Sequence, residues 1–413
     1  MSDDFVSREG YERALELLVA CSTEDGFLAA TENTANYRRV WGRDGSIAGL
    51  AALASGQDDL IATTRRTLET LAAHQGPHGE IPSNVDVRTE RISYGGTTGR
   101  VDANLWFAVA CGQYFERTGD EELLDTIMPT LEAVRFLLGA WEFNSRGLLY
   151  VPATGDWADE YVHAGYVLYD QLLYLQALRE FCRLHEHLHG SRDHELCDRT
   201  TRLERIIRTN YWIDPNGDEI PPEAYHEVLY AKARDVSADR RGCYWLPFFA
   251  PGGYGYRFDA FANVLASLLG VSDEEQCGTV DDFTAEVTDD SWLLPAFHPV
   301  ITPRHEDWTE LQVTFSYEFK NEPHEYHNGG RWPLVTGFHV ADLARRDQLD
   351  RARSYLQGIH RANRSPDEDG EPWSFPEFLH GTQHTPGGTR DLAWSAAAAV
   401  IGEHAVRGEP ILR

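Results

Sequence analysis

Five loop segments of this chain gather acids, arginines and aromatic rings densely enough to do chemistry. In ATGDWADEYVHAGY, Ala153 to Tyr166, three acids (Asp156, Asp159 and Glu160) surround Trp157 and Tyr161. Carboxyls this close to one another and to an indole are desolvated and repel. One of them is then expected to keep its proton and serve as a general acid. An acid-rich helix start would give the same string. Near the other end, EPWSFPEFLHGTQHTPGGTRDLAWS, Glu371 to Ser395, sets Glu377 between Trp373, Phe375 and Phe378. An acid among aromatic rings is unusual outside a site.

Two earlier segments carry the side chains that recognise sugars. YRRVWGRDGS, Tyr37 to Ser46, combines Tyr37, Arg38, Arg39, Trp41, Arg43 and Asp44 just before a helical run. Rings cover the apolar face of a sugar while carboxylates and guanidinium groups bind its hydroxyls. Asp44 would serve equally as a helix cap. In YGGTTGRVDANLWF, Tyr94 to Phe107, Asp102 opens a helix and Trp106 lies four residues on, on the same side of its first turn. These glycines do not form a dinucleotide site, because no strand–loop–helix unit surrounds them. In NEPHEYHNGGRWPLVTGFH, Asn321 to His339, the spacing of His324 and His327 with Glu322 and Glu325 is not that of a metal helix, and Pro323 with two glycines makes a loop. His327, Asn328 and Trp332 are better read as part of a pocket floor, and no metal or cofactor is expected.

Elements to position these loops follow from apolar periodicity. Helices are expected over about 8–20, 44–56, 59–74, 102–117, 120–139, 163–188, 192–209, 257–269, 280–287, 330–343, 346–362 and 390–406. Asp120 is a plausible cap, and Pro129 should kink or restart its helix. Short strand-like runs at 146–151, 242–248 and 311–319 look like loop ornaments. Helix pairs repeated in this way must bury their inner faces against neighbours, and six pairs can close into a ring whose long loops meet at one mouth. The expected fold is an all-α (α/α)6 toroid, a six-hairpin barrel over residues 1–413.

The chain has 66 acidic and 37 basic residues, a formal charge of −29, and only Lys232 and Lys320 as lysines. Such a charge repels nucleic acid and anionic lipid, and self-repulsion disfavours the compact state unless salt screens it. A protein built for very high salt is expected, with an ordinary acidic enzyme as the alternative. The six cysteines, Cys21, Cys111, Cys182, Cys197, Cys243 and Cys277, are widely spaced without a CxxC pair, as expected of buried free thiols. Neither a membrane span nor a leader pattern stands out, so a cytoplasmic protein without membrane partners is expected.

Taken in order, WGRD, GDWAD, YHNGGRWP, WSFPEFLHG and GGTRDLAWSAAA resemble the amylo-alpha-1,6-glucosidase (glycogen-debranching) catalytic domains and their neutral/alkaline invertase and processing-glucosidase relatives, over roughly residues 35–405. The resemblance implies a six-hairpin ring and inverting hydrolysis of an alpha-linked sugar, with a glucoside or short oligosaccharide as substrate. It places the general acid on Asp159, with Asp156 as the alternative, and the base on Glu377. Arg43, Asp44 and Asp102 fall on sugar-binding positions, and Tyr37, Trp41, Trp106, Asp156, Trp157, His327, Asn328, Trp332 and Trp373 complete the candidate contacts. Inversion needs the two carboxyls roughly 6.5–9.5 Å apart, leaving room for the attacking water. The large N-terminal domain of many debranching enzymes has no counterpart, which points away from polymeric glycogen. Two other classes compete: a sugar 2-epimerase or isomerase using His163, His324, His327 and His380, and a carbohydrate-binding protein without turnover.

Overall fold

The computed structural model describes residues 3–32, 35–217, 219–239, 244–314 and 318–412. Fourteen helices occur among them. They are α1 Asp3–Cys21, α2 Gly42–Ser55, α3 Asp58–Ala73, α4 Val101–Thr118, α5 Glu121–Ala140, α6 Leu168–His189, α7 His194–Tyr211, α8 Glu227–Asp239, α9 Ala260–Leu268, α10 Glu274–Val287, α11 Trp308–Leu311, α12 Pro333–Arg345, α13 Leu349–Asn363 and α14 Ala393–Val406. Six of them, α2, α4, α6, α9, α12 and α14, touch in that order and close back from α14 onto α2. Around this ring α1 packs on α14, α3 on α2, α5 on α4, α7 on α6, α10 on α9 and α13 on α12. The result is the (α/α)6 toroid.

Sequence separates the two layers. The inner helices are buried on nearly every side, as along Ala393–Ala405 of α14 and Val101–Tyr114 of α4. The outer helices are one-sided: α3 buries Leu60, Thr63, Thr64, Thr67, Leu68 and Leu71, the spacing of one helical face. Small residues let the inner helices approach closely. A β-carbon on Gly337 of α12 would stand 2.7 Å from Cα of Ala398 in α14, so only glycine fits that crossing. The apolar core runs without a break from Ala14 to Leu412.

Every expected helix is present, and the differences are local. Pro129 does not interrupt α5. It faces solvent on an outer helix, where water can take the carbonyl that its missing N–H leaves free. Asp120 caps that helix by accepting from the Leu123 N–H. Asp44 and Asp102 are not the N-caps: they lie within the first turns of α2 and α4, whose N-caps, Trp41 and Arg100, make no side-chain cap bond. The long run at 163–188 begins as a helix only at Leu168, because Tyr166–Val167 pairs with Phe248–Phe249. α8 and α11 were not foreseen, since short helices in polar loops show no long apolar period. Of the strand-like runs, 146–151 contributes only a single bridge at Val151. In the second run, residues 242 and 243 lie outside the described residues and pairing starts at Phe248. In the third, 315–317 lie outside them and the remainder is helix end and turn. Cys243 is likewise outside them. Cys21, Cys111 and Cys277 are buried, whereas Cys182 and Cys197 are half-buried with sulfurs 3.6 Å apart.

Among the described residues no helix is long and apolar enough to cross a membrane. With a charge of −29 spread along the chain, screening should stabilise the ring. The thermal midpoint is expected to rise steadily from ~0.1 M to ~2 M potassium chloride. An equal rise in a non-ionic osmolyte at matched osmolality would instead point to surface exclusion. A flat salt response would remove the expectation of a salt-adapted fold.

Candidate active site

The inner helices all start at one mouth, and they bring acids with them. Asp44 and Asp102 lie in the first turns of α2 and α4, Asp170 in that of α6, and Asp259 caps α9 by accepting from Ala262 N–H. All four are buried. A helix N-terminus favours an anion, which offsets part of the burial cost. Arg43 neutralises part of this ring. Its Nη1 donates to Asp102 Oδ2 at 3.0 Å, its Nε stands 3.7 Å from Asp44, and its guanidinium lies 5.5 Å from the centre of the Trp394 ring. Burial still raises Asp44 to about 6, with Arg43 pulling it down and Asp102 pushing it up.

The acidic loop 153–163 divides its carboxyls sharply. Both oxygens of Asp156 are buried without a hydrogen-bond partner among the described residues, and so are both of Asp170. Burial, the charges of Asp102 and Asp259 and, for Asp170, that of Asp156 hold this pair well above the ordinary carboxylate range. Asp159 is the accessible one, its side chain 15% exposed. Arg100 donates to its Oδ2 at 2.9 Å. Burial would raise Asp159, but Arg100, then Arg43, His327 and Lys320, draw it below its ordinary value. Their surroundings thus favour a proton on the sealed Asp156 and a charge on Asp159.

Glu377 shows the opposite trend. Tyr37 donates to its Oε1 at 2.9 Å and the Thr389 N–H to its Oε2 at 3.1 Å, so both oxygens are held. Burial lifts it to about 7 against the lowering effects of Lys320, Thr389 and Tyr37. The carboxyl sits at the foot of a small hairpin, Phe378–Leu379 against Pro386–Gly387. Gly388 closes that hairpin at φ +72°, and a β-carbon there would overlap the Glu377 carboxyl. This accounts physically for the second glycine of GGTRD.

Three rings join the two acid loops. Trp157, two residues from Asp159, meets Trp332 edge-on at 5.5 Å. Trp332 in turn stacks on Phe378, next to Glu377, at 5.8 Å and on His327 at 5.2 Å. Charges on Asp159 and Glu377 both reach the hydroxyls of Tyr37 and Tyr326, so both acids face the same two tyrosines.

The other expected contacts sort by exposure. Tyr37 and Trp41 are half-buried, with rings 6.4 Å apart. Trp157 and Trp332 are fully packed, so they brace the loops from beneath. Trp106 lies deeper, donating to Tyr169 Oη at 2.7 Å. Asn328 spends its amide on the backbone of Ile301 and Asn321, which knots the 321–331 loop. Trp373 turns its indole to Glu9 of α1 at 3.3 Å. His327 is buried with neither ring nitrogen partnered among the described residues, and burial pushes it down to about 3. His163 is also pushed to about 3 by burial. His324 and His380 form a separate pair 6.0 Å apart. Two cations near the carboxyls, Arg100 and Lys320, were not foreseen. Arg100 carried a signal, a lone base two residues before Asp102; Lys320 carried only its rarity.

Among the described residues no group of three or more His, Cys, Asp or Glu side chains is placed to hold a metal ion. An open cleft of about 450 Å³ lies elsewhere, between α8 and the Phe248–Tyr254 hairpin. Among the described residues Asp235 is the one carboxylate that lines it.

Residues 224–388 match the family described as alkaline and neutral invertase. The chain is 23% identical over 412 residues to a probable alkaline/neutral invertase A, chloroplastic, of Arabidopsis thaliana, covering 85% of this chain and 63% of that protein. It is 24% identical over 398 residues to cytosolic invertase 1 of Oryza sativa subsp. japonica, covering 85% and 68%. It spans somewhat under two thirds of the Arabidopsis invertases A and D, 63% and 64%. Among solved structures, a bacterial glucoamylase complexed with acarbose superposes at a TM-score of 0.65 with 16% identity, covering 98% of this chain and 56% of that one. A GH63 mannosylglycerate hydrolase from Thermus thermophilus, in complex with Tris, superposes at 0.66 with 14% identity, covering 95% and 99%. At these identities the superpositions establish the shared (α/α)6 fold, and the sequence matches establish the resemblance to invertases.

Proposed function

We propose that this chain is an inverting glycoside hydrolase that cleaves an alpha-linked glucoside or short oligosaccharide. The observation that supports the proposal is the run of packed rings Trp157–Trp332–Phe378, which links the loops carrying Asp159 and Glu377 although 217 positions separate the two acids in the chain. The named relatives, invertases by sequence and a glucoamylase and a mannosylglycerate hydrolase by fold, lend it support.

In the proposed reaction Asp159 protonates the leaving-group oxygen. Glu377, steadied by Tyr37 and Thr389, removes a proton from the water that attacks the anomeric carbon from the opposite face. Arg43 and Asp44 bind sugar hydroxyls, and Trp41 with Tyr37 covers the apolar face of the ring. Arg100 keeps Asp159 ionised while the site is empty. The incoming glycosidic oxygen must displace that guanidinium, and closure over the sugar then excludes water, so that Asp159 can carry a proton. Asp156 is sealed from the mouth and serves as a buried, neutral support. Burial pushes both His163 and His327 down to about 3, which weighs against these two as the proton carriers of a sugar isomerase.

A proton NMR time course over sucrose, maltose, isomaltose and trehalose tests the proposal. One of them, or a longer alpha-linked oligomer, should be split, with the β-anomer of glucose appearing before mutarotation. The α-anomer appearing first would replace inversion by retention, a rearranged sugar of unchanged mass would favour the isomerase, and binding without turnover would leave a lectin-like protein.

A further inference from the structure

Lys320 is one of two lysines in a chain whose other 35 cations are arginines (37 − 2). Two arginines beside the acids are committed to carboxylates, Arg43 to Asp102 and Arg100 to Asp159. Lys320 is not: among the described residues no carboxylate lies within ion-pair distance of it, and its ammonium stands 5.1 Å over the Tyr326 ring. Its place is fixed by its neighbour. Asn321 is fully buried and donates to the Glu160 carbonyl at 2.6 Å, one residue from Asp159. Tyr326 in turn packs against Phe378, one residue from Glu377, at 5.9 Å. The ammonium is thus held between the two acid loops without being consumed by either.

We propose that Lys320 is a positioning residue whose unpaired ammonium, held on the face of Tyr326, keeps Glu377 ionised and ready to accept a proton from water. The role rests on Glu377 being the base proposed above. Lysine suits it better than arginine. A guanidinium would fork onto a carboxylate and cover the oxygen that must face water, whereas an ammonium on an aromatic face acts as a point charge from a distance. The groups facing Glu377 are Tyr37 and Asp44 from the 37–46 segment, Thr389 from its own hairpin, Tyr326 and Lys320 from the 318–331 loop, and Asp159 across the mouth. Asp44 opposes ionisation of Glu377, and among the described residues Lys320 is the full positive charge that favours it. The lowering effect of Lys320 on Glu377 agrees with this geometry.

The test is a carbon-13 NMR titration of the glutamate side-chain carboxyls, with Glu377→Gln identifying the Glu377 signal, beside the pH profile of kcat/KM. Lys320→Met should move the Glu377 midpoint upward by about half a pH unit or more, and the acidic limb of the profile with it. Lys320→Arg, which keeps the charge, should bring the midpoint most of the way back. An unchanged midpoint in Lys320→Met overturns the proposal, as does an equal shift in Lys320→Arg, which would trace the effect to lost packing. The titration needs no turnover. A protein that hydrolyses nothing, yet shows the charge-dependent shift, would sink the hydrolase assignment while leaving the Lys320–Glu377 coupling standing.

Discussion

Glu377→Gln should cut turnover by about a thousandfold or more, a barrier increase of about 4 kcal/mol, with the helical spectrum and thermal midpoint close to wild type. The amide keeps the size of the side chain and can still accept from Tyr37, but it cannot take a proton from water. Asp159→Asn should cost a similar factor on an ordinary glycoside, because the leaving oxygen then departs unprotonated. The two variants should part on an alpha-glucosyl fluoride, whose fluoride leaves without help. Asp159→Asn should recover most of its activity there and Glu377→Gln none. Such a substrate also settles the competing assignment favoured by the proton inventory, in which Glu377, lifted to about 7 by burial, is the acid and the low Asp159 the base. Under that assignment Glu377→Gln would be the variant rescued by fluoride. The pH profile carries the same distinction with its sign. A base that titrates at about 7 works only when ionised, so kcat/KM should fall as pH drops through about 7; an acid with that value would lose rate as pH rises through it. Near-normal rates in both variants on a confirmed substrate would remove both carboxyls from the mechanism.

The ring of hairpins was legible in the chain because its signals are local and repeated. One-sided periodicity in α3 and α13 marks outer helices, and stretches such as AWSAAAAV mark helices buried on every side. The acid loops were legible by composition, since few segments place carboxyls among rings. What stayed hidden depends on contacts between distant segments. Nothing local to GDWAD says that Arg100, 59 residues earlier, will pair with Asp159 and draw its proton away. Likewise the five tryptophans expected to contact a sugar look alike in sequence, yet Trp106, Trp157 and Trp332 are packed inside and Trp373 is turned to an outer helix, leaving Trp41 half-buried near Glu377. Aromatic composition marks a site's neighbourhood, whereas exposure after folding decides which rings meet a ligand.

Trp332→Ala is expected to be the most damaging single truncation for the site's architecture. The indole is fully buried and contacts Trp157, His327, Tyr326, Phe378 and Trp394, while its Nε1 donates to the Tyr326 carbonyl at 3.0 Å. Removing a buried tryptophan of this kind costs about 3–5 kcal/mol, from lost apolar transfer and from a cavity that stacked rings cannot collapse to fill. That is a large share of the about 5–15 kcal/mol by which folded domains are stable, so a clear fall in thermal midpoint by calorimetry is expected. Trp332 also bridges the loops of Asp159 and Glu377, so the deletion removes their common support at the same time. Turnover at a temperature where the variant is still folded should therefore fall further than the folded fraction does. Trp332→Phe, which keeps a ring against His327 and Phe378 but loses the Nε1 hydrogen bond, should lie between wild type and alanine in both measurements. If Trp332→Ala matched wild type in midpoint and rate, the ring bridge would not be what holds the two carboxyls together, and the geometric basis for pairing them would have to be sought elsewhere in the mouth.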